Sequence, residues 1–193
     1  ELGMPRFLVK TKKELLEQLQ IVQNLVSHRA TLPILSNYLL EAEQKTGKLW
    51  ITSTNLEVGI RSCINAEIEE GGSITIPAKK LGEILHGFPV NGTPVNVTLE
   101  LKENNRIQVF SSKAKFQIAG LAKDDYPVLP QFSEDRAVIF TPSQLAGMIQ
   151  KTVFAVSSDE TRYVLNGALF LLAGGVATLV ATSQCLFFTV LRI

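Results

Sequence analysis

Phe154-Ala155-Val156-Ser157-Ser158-Asp159-Glu160-Thr161-Arg162-Tyr163-Val164-Leu165-Asn166-Gly167 is the stretch that decides the fold, because an earlier stretch, Asn24 to Asn37, lies over it at a constant offset. Subtracting 130 places Thr141 on Thr11, Leu145 on Leu15, Ile149 on Leu19 and Val156-Ser157 on Val26-Ser27. Thr161 then falls on Thr31, Leu165 on Leu35 and Leu169 on Leu39. After a shorter turn, Leu179-Val180-Ala181-Thr182 matches Trp50-Ile51-Thr52-Ser53 at an offset of 129. Any strand–helix–strand order gives partial matches. An offset kept through a helix, an irregular loop and a strand is the mark of an internal duplication. A helix that breaks at a serine, a bridging segment and a two-strand meander are therefore written twice. The first copy has about 130 residues; the second holds only the counterpart of its first half, and a half domain leaves sheet faces and edges open.

Outward from the repeat, the elements follow from local chemistry. Arg6–Lys10 is a short extended run, and Thr11 with Glu14 has the form of a capping box. Leu15, Leu19, Val22 and Val26 recur at spacings of four, three and four, one apolar helix face, with Lys12, Lys13, Gln20 and Gln23 largely off it. Ser27–Leu35 contains Pro33 and cannot continue a regular helix. Asn37–Ala42 and Lys48–Thr54 form a hairpin around Glu43–Gly47, and Leu56–Ile68 alternates as one long strand. Ser73–Ile76 is a short strand, and Pro77 opens a second helix over Ala78–His86, closed by Gly87. Val95–Leu101, Arg106–Ser111 and Lys115–Ala119 are further strands, with Asn104-Asn105 at a hairpin tip. Lys123–Gln131, with Pro127 and Pro130, has no periodicity and reads as a linker. Ala137–Phe140 is extended, and Thr141-Pro142 opens a third helix with Leu145, Met148, Ile149 and Thr152 on its apolar face. Cys185–Leu191 reads as a strand that covers the half sheet, since leaving it exposed costs about 25 cal/mol per Å².

The totals narrow the function. The chain has 193 residues, 46% hydrophobic and 19% charged, with a net charge of +1. No global field draws it to nucleic acid, so such a role needs charge gathered on one face. Two cysteines far apart, Cys63 and Cys185, suggest neither a disulfide framework nor a metal site and fit a reducing compartment. No apolar run reaches the length of about 18 residues that spans a bilayer, and no secretory signal is visible; Glu1-Leu2-Gly3 reads as residues added ahead of Met4. The expectation is a cytoplasmic protein without membrane contact.

Enzyme chemistry has little support. His28 and His86 are isolated and read as surface or DNA-facing residues. Ser157-Ser158-Asp159-Glu160 sits where a helix gives way to a strand, and capping is its default use. Gly71-Gly72 and Gly174-Gly175 lie in hairpin turns rather than between strand and helix, so they are not phosphate cradles. We therefore expect no catalytic residues, no cofactor and no metal. Lys10, Lys12, Lys13, Arg29, Lys79, Lys80 and His86 lie on or beside the first two helices. If those helices share a face, it is either a positive surface for phosphates or an ordinary charged helix surface. Lys113, Lys115 and Phe116 lie on a late strand, as a guard against edge pairing or as a docking edge.

Arg29-Ala30-Thr31-Leu32-Pro33-Ile34-Leu35, Pro77-Ala78-Lys79-Lys80, Asp125-Tyr126-Pro127 and Phe154–Gly167 resemble the bacterial DNA polymerase III beta subunit family, the sliding clamps, over about Arg6 to Thr182. The resemblance implies an α+β DNA clamp fold: repeated domains, each of two helices backed by two small antiparallel sheets. One complete copy and about half of a second are expected here, as a first domain over residues 4–122, a linker over 123–135 and the first half of a second domain over 136–193. It implies a homodimeric head-to-tail ring around duplex DNA that makes the replicative polymerase processive. It also implies partners, DNA polymerase III and clamp-loader subunits, bound through short peptide motifs. By position it assigns DNA contacts to Arg29, Lys79, His86 and Tyr163, with Lys12 beside them on the first helix, and a subunit interface to Lys80, Lys113, Lys115, Phe116 and Ile118. Leu165 and Thr182 match walls of the peptide pocket. At Asp159 some relatives carry a DNA-contacting polar residue; here an acid stands there, which phosphates repel.

One departure marks the end of the resemblance. After Val180-Ala181-Thr182 the family continues Asp-Gly-His-Arg-Leu-Ala, whereas this chain reads Ser183-Gln184-Cys185-Leu186-Phe187-Phe188. The divergent tail from Ser183 has the form of a frameshift, an alternative end or an engineered truncation. The expectation is a C-terminally truncated clamp with an incomplete peptide pocket that does not close the ring alone. The alternative is an interaction module or inert fragment that docks onto a full-length clamp.

Overall fold

The computed structural model describes residues 6–9, 12–26, 32–88, 95–111, 114–130, 138–183 and 188–192. The chain divides into two units, Glu1–Pro130 and Gln131–Ile193. The first contains β1 (Arg6–Val9), α1 (Lys12–Gln23), β2 (Asn37–Glu43), β3 (Lys48–Thr54), β4 (Gly59–Asn65), β5 (Glu67–Ile68), β6 (Gly72–Pro77), α2 (Ala78–Gly87), β7 (Val97–Lys102), β8 (Arg106–Ser111) and β9 (Ala114–Ala119). The second contains α3 (Pro142–Gln150), β10 (Leu169–Ala173), β11 (Val176–Thr182) and β12 (Phe188–Arg192).

Two antiparallel sheets back the two helices of the first unit, as the family resemblance implies. Their strand orders are β5-β1-β7-β8-β9 and β4-β3-β2-β6. The unit is built from two halves that exchange a strand. The β1 strand precedes α1, yet it pairs with β7, which follows α2. Conversely β6 precedes α2 and pairs with β2, which follows α1. Neither half can complete its own sheet, so the halves interlock around one core.

That core follows the residue periods. Leu15, Leu19 and Val22 of α1 and Leu81 and Leu85 of α2 are buried against Leu40, Leu49, Ile51, Ile74 and Ile76 of one sheet. Val97, Leu99, Ile107 and Val109 close it from the other. Each fully buried side chain of this size contributes roughly 1.5–3 kcal/mol. Leu39 points to the opposite face from Leu40, as strand pleating requires, and forms a second cluster with Ile34, Leu35 and Tyr126. The segment read as a linker therefore holds on to the sheet through residue 130. Tyr126 is buried, with its hydroxyl 3.4 Å from the carbonyls of Asn37 and Thr52, and Lys123 pairs with Glu41 at 2.7 Å.

The long strand expected over Leu56–Ile68 is instead two strands in different sheets. β4 pairs with β3, while β5 pairs with β1. The change of sheet falls at Ala66, whose N–H donates to the Gly47 carbonyl. Upstream, Leu56 has φ of 78° and the Asn55 side chain accepts from the N–H groups of Glu57 and Val58. That local turn competes with the ladder, and alternation alone does not reveal it.

In the second unit, Thr141 and Gln144 form a full capping box at the start of α3. Met148 and Thr152 are buried, but Leu145 and Ile149 are exposed, so only part of the expected apolar face is covered. Residues 138–140 are not a regular strand, and Ala137 lies outside the described residues. The tail forms β12, paired with β11. It begins at Phe188, and residues 185–187 of the expected Cys185–Leu191 strand lie outside the described residues. β12 takes the place beside β11 that β4 takes beside β3.

The repeat also needs one correction in register. Leu39 pairs with Thr52, and its counterpart Leu169 pairs with Val180, an offset of 128 rather than 129 across the third element. The β2–β3 turn uses four residues between Glu43 and Lys48, whereas the β10–β11 turn uses Gly174 and Gly175, at φ of 57° and 75°. A one-residue slip would reverse every side chain. At 128, Leu49 and Ile51 fall on Ala177 and Leu179, all buried.

Candidate nucleic-acid interface

α1 and α2 lie side by side with a groove of about 860 Å³ between them, lined by Leu16, Gln20 and Gln23 on one side and Lys79, Gly82, Glu83 and His86 on the other. The sheets fill the far side of both helices, so this is the face on which they are free. Tyr38 forms its floor, and burial pushes its phenol up to about 12.

Lys79 and His86 are exposed on α2, about two turns apart along the groove. Lys79 lies 4.0 Å from Glu83 one turn on, a contact exposed enough to be worth little. Lys13 stands in the same relation to Glu17 at 3.8 Å. The exposed charges of α1 and α2 are Lys13, Lys79 and Lys80 against Glu14, Glu17 and Glu83, with His86 besides. The described part of this face is close to charge balance rather than strongly positive. Arg29 and Lys10 lie outside the described residues.

Lys12 corrects the expectation of an exposed helix-surface charge. It is buried, and its ammonium donates to the Phe88 carbonyl at 2.7 Å. Its own N–H donates to the Val95 carbonyl at 2.7 Å. The side chain thus satisfies an orphan carbonyl just past the end of α2, where a positive charge also suits the helix dipole. The spacing of apolar residues gave no warning, because a lysine stem packs like a hydrophobe.

β9 ends the five-stranded sheet, with β8 on one side and no strand on the other among the described residues. Lys115 and Phe116 are exposed there, and the Phe116 ring lies 5.7 Å from that of Phe88. Lys115 reaches back over Phe110 at 5.9 Å. Ile118 is different: it is buried in the core, so its side chain supports the edge from within rather than facing a partner. Lys80 is exposed on α2, and Lys113 lies outside the described residues.

In the second unit, Asp159 caps the short helical segment Glu160–Leu165. It accepts from the Thr161 N–H at 3.0 Å and from the Thr161 hydroxyl at 2.6 Å, and these bonds hold its carboxyl below the usual range. The capping reading of this corner is the one the geometry supports. Tyr163 is 81% exposed, open to any partner. Leu165 is half-buried and its carbonyl accepts from the Ser157 N–H at 2.9 Å, which closes the corner. Thr182 is half-buried at the end of β11, where its hydroxyl donates to the Ser183 carbonyl. Among the described residues no helix is long and apolar enough to cross a membrane, and no group of three His, Cys, Asp or Glu side chains is placed to hold a metal.

A residue the sequence reading missed is Trp50. It lies on the sheet face away from the helices, with the Arg61 guanidinium 4.3 Å from its ring centroid. Glu41 joins Arg61 at 3.2 Å and Lys123 at 2.7 Å beside it. Alternation along β3 places Trp50 opposite to Leu49 and Ile51, a signal present in the sequence.

Residues 6–130 match the family model of the DNA polymerase III beta subunit, N-terminal domain. The beta sliding clamp of Vibrio cholerae is 38% identical over 172 residues, 89% of this chain and 45% of that protein. The beta sliding clamp of Chlamydia pneumoniae is 32% identical, over 90% of this chain and 46% of that protein. Among solved structures, the DNA polymerase sliding clamp of Bacillus subtilis superposes with a TM-score of 0.84 at 31% identity, covering 93% of this chain and 48% of that one. The chain spans about half the length of the curated relatives it matches.

Proposed function

The chain belongs to the DNA polymerase III beta subunit family, and from that premise we propose that its α1–α2 face borders duplex DNA in a sliding clamp, which tethers a replicative polymerase to its template without catalysing a reaction. The observation that carries the proposal is that both helices present one continuous groove with Lys79 and His86 along it, while both sheets lie behind. A face built this way meets phosphates and sugars and has no element shaped to enter a groove and read bases. The attraction it asks of Lys79 and its basic neighbours is the sequence-independent kind, which lets a protein slide along the backbone.

The site residues take their roles in this reading. Lys79 and His86 contact the duplex in this reading, and so, by the family resemblance, do Arg29 and Tyr163. Lys115 and Phe116 on β9 and Lys80 on α2 meet a neighbouring subunit in this reading, joined by Lys113 on the family resemblance, with Ile118 holding β9 in place. Leu165 and Thr182 match walls of a pocket for short peptide motifs of polymerase and clamp-loader subunits, a pocket left incomplete by the sequence from Ser183 on. Lys12 is left out of the DNA contacts because its charge is spent on Phe88.

Equilibrium binding to two unrelated duplexes across a salt series tests this reading. The expected result is weak binding of equal strength for both, which falls linearly in log–log form with salt. A preference for one sequence, or binding that salt does not weaken, would refute it.

A further inference from the structure

The middle of α2 holds a residue that the first unit itself does not need. Glycine inside a helix is less stable than alanine there, and Gly82 lies well within α2, which runs from Ala78 to Gly87. Two other glycines of the unit are required by packing. A Cβ at Gly59 would lie 2.3 Å from the Leu129 side chain, and one at Gly120 would lie 2.2 Å from the Thr75 carbonyl. A Cβ at Gly82 meets nothing within 4 Å, and the residue takes no positive φ. What the missing side chain does is leave the helix backbone bare toward the groove that Gly82 lines.

The residues around that bare point are ordered. Lys79, Gly82, Glu83 and His86 stand at i, i+3, i+4 and i+7 and share one stripe of α2. At about 1.5 Å of rise per residue, Lys79 lies about 4.5 Å before Gly82 along the helix and His86 about 6 Å after it. Both side chains are long enough to reach a group seated at Gly82, while the Glu83 carboxylate lies 4.0 Å from the Lys79 ammonium. Leu16, Gln20 and Gln23 make the facing stripe of α1, at i, i+4 and i+7, and both glutamines are exposed. A bare helix backbone between two basic side chains, with amide donors across the groove, suits an extended anionic chain. The apolar floor, Leu19 and Ala78 among it, suits the uncharged sugars of such a chain.

We propose that Gly82 is the point at which the phosphodiester backbone of duplex DNA comes closest to this face. It lies against the bare backbone of α2, takes hydrogen bonds from Lys79 and His86 on either side, and takes amide hydrogen bonds from Gln20 and Gln23 across the groove. This rests on the reading that the α1–α2 face borders duplex DNA, and it assigns contacts there to three residues without charge. Their part in binding has its own signature. A lysine that neutralises a phosphate releases counterions and steepens the salt dependence, whereas a glutamine amide binds a phosphate oxygen and leaves that slope alone. A methyl group at Gly82 stabilises the helix and at the same time holds the backbone off its donors.

Fluorescence anisotropy of a labelled duplex titrated with the whole 193-residue chain, repeated across a salt series, provides the test. Gly82→Ala is expected to raise the thermal midpoint yet weaken duplex binding roughly threefold, and Gly82→Leu roughly tenfold, because hydrogen bonds stretched past their normal range are lost. Gln20→Ala with Gln23→Ala weakens binding about tenfold. All of these leave the slope of log K against log salt unchanged, whereas Lys79→Ala flattens it by about 0.9. Thermal unfolding of each variant confirms that it is folded. A wild-type chain that binds no duplex, or prefers one sequence, overturns the reading of the face and this proposal with it. Wild-type binding that salt weakens, but that both Gly82 variants leave as strong as before, overturns this proposal alone. So does a glutamine double variant that binds as wild type or changes the salt slope.

Discussion

The Lys12 ammonium lies 2.7 Å from the Phe88 carbonyl and so ties the first turn of α1 to the end of α2. The two helices that form the candidate interface are held at a fixed spacing by a buried charge, and Phe88 passes the constraint to Phe116 on β9.

Lys12→Met keeps the stem and removes the donor. It leaves the Phe88 carbonyl without its partner and is expected to cost about 1–3 kcal/mol in denaturant unfolding. The salt dependence of duplex binding by the folded variant stays the same. A change in salt slope with no loss of stability would restore Lys12 as a phosphate contact.

Ile118 and Phe116 separate in their effects although they share a strand face. Ile118→Ala opens a cavity in the core and is expected to cost about 2–5 kcal/mol. Phe116→Ala, at an exposed position, is expected to cost much less and to abolish docking of this edge onto a full-length sliding clamp, as read by native mass measurement.

High pH should unfold the first unit in a defined window. Burial raises the phenols of Tyr38 and Tyr126 from 10.0 to about 12. Between those values the unfolded chain has lost the protons that the folded chain keeps. Stability is therefore full below pH 10 and falls as pH rises toward 12, by up to about 1.4 kcal/mol per pH unit for each phenol. Tyr126→Phe should flatten the decline by about half, as followed by denaturant midpoints at stepped pH.

Gly120 lies where a methyl group would press against the Thr75 carbonyl and the Ile74 side chain. That contact flanks the bridge between Thr75 and Leu121, which pins the chain after β9 to β6. Gly120→Ala is expected to lower the thermal midpoint of the first unit by several degrees. Gly82→Ala, which meets open space on the groove side of α2, should raise it, because alanine is the better helix former.

Much of this was legible in the residues. The spacing of Leu15, Leu19 and Val22 located α1 and its buried face, Asn104-Asn105 marked a turn whose two residues both take positive φ, and the repeat foretold the second unit. What escaped was set by partners distant in sequence. No local signal shows that β1 and β6 cross to the other half's sheet, that Lys12 finds the Phe88 carbonyl 76 residues away, or that Ala66 turns a strand from one sheet into another. The two-residue glycine turn moved the register by two, where matching letters alone suggested one.

The central claim is that the α1–α2 face meets duplex DNA without reading its sequence. Amide shift mapping of the chain at low salt, with two unrelated duplexes titrated in turn, tests it most directly. The account predicts the same perturbed set for both, centred on Gln20, Gln23, Lys79, Gly82 and His86, lost as salt is raised. Perturbations centred on Trp50 and Arg61 on the opposite sheet face, or a set that differs between the duplexes, would contradict it.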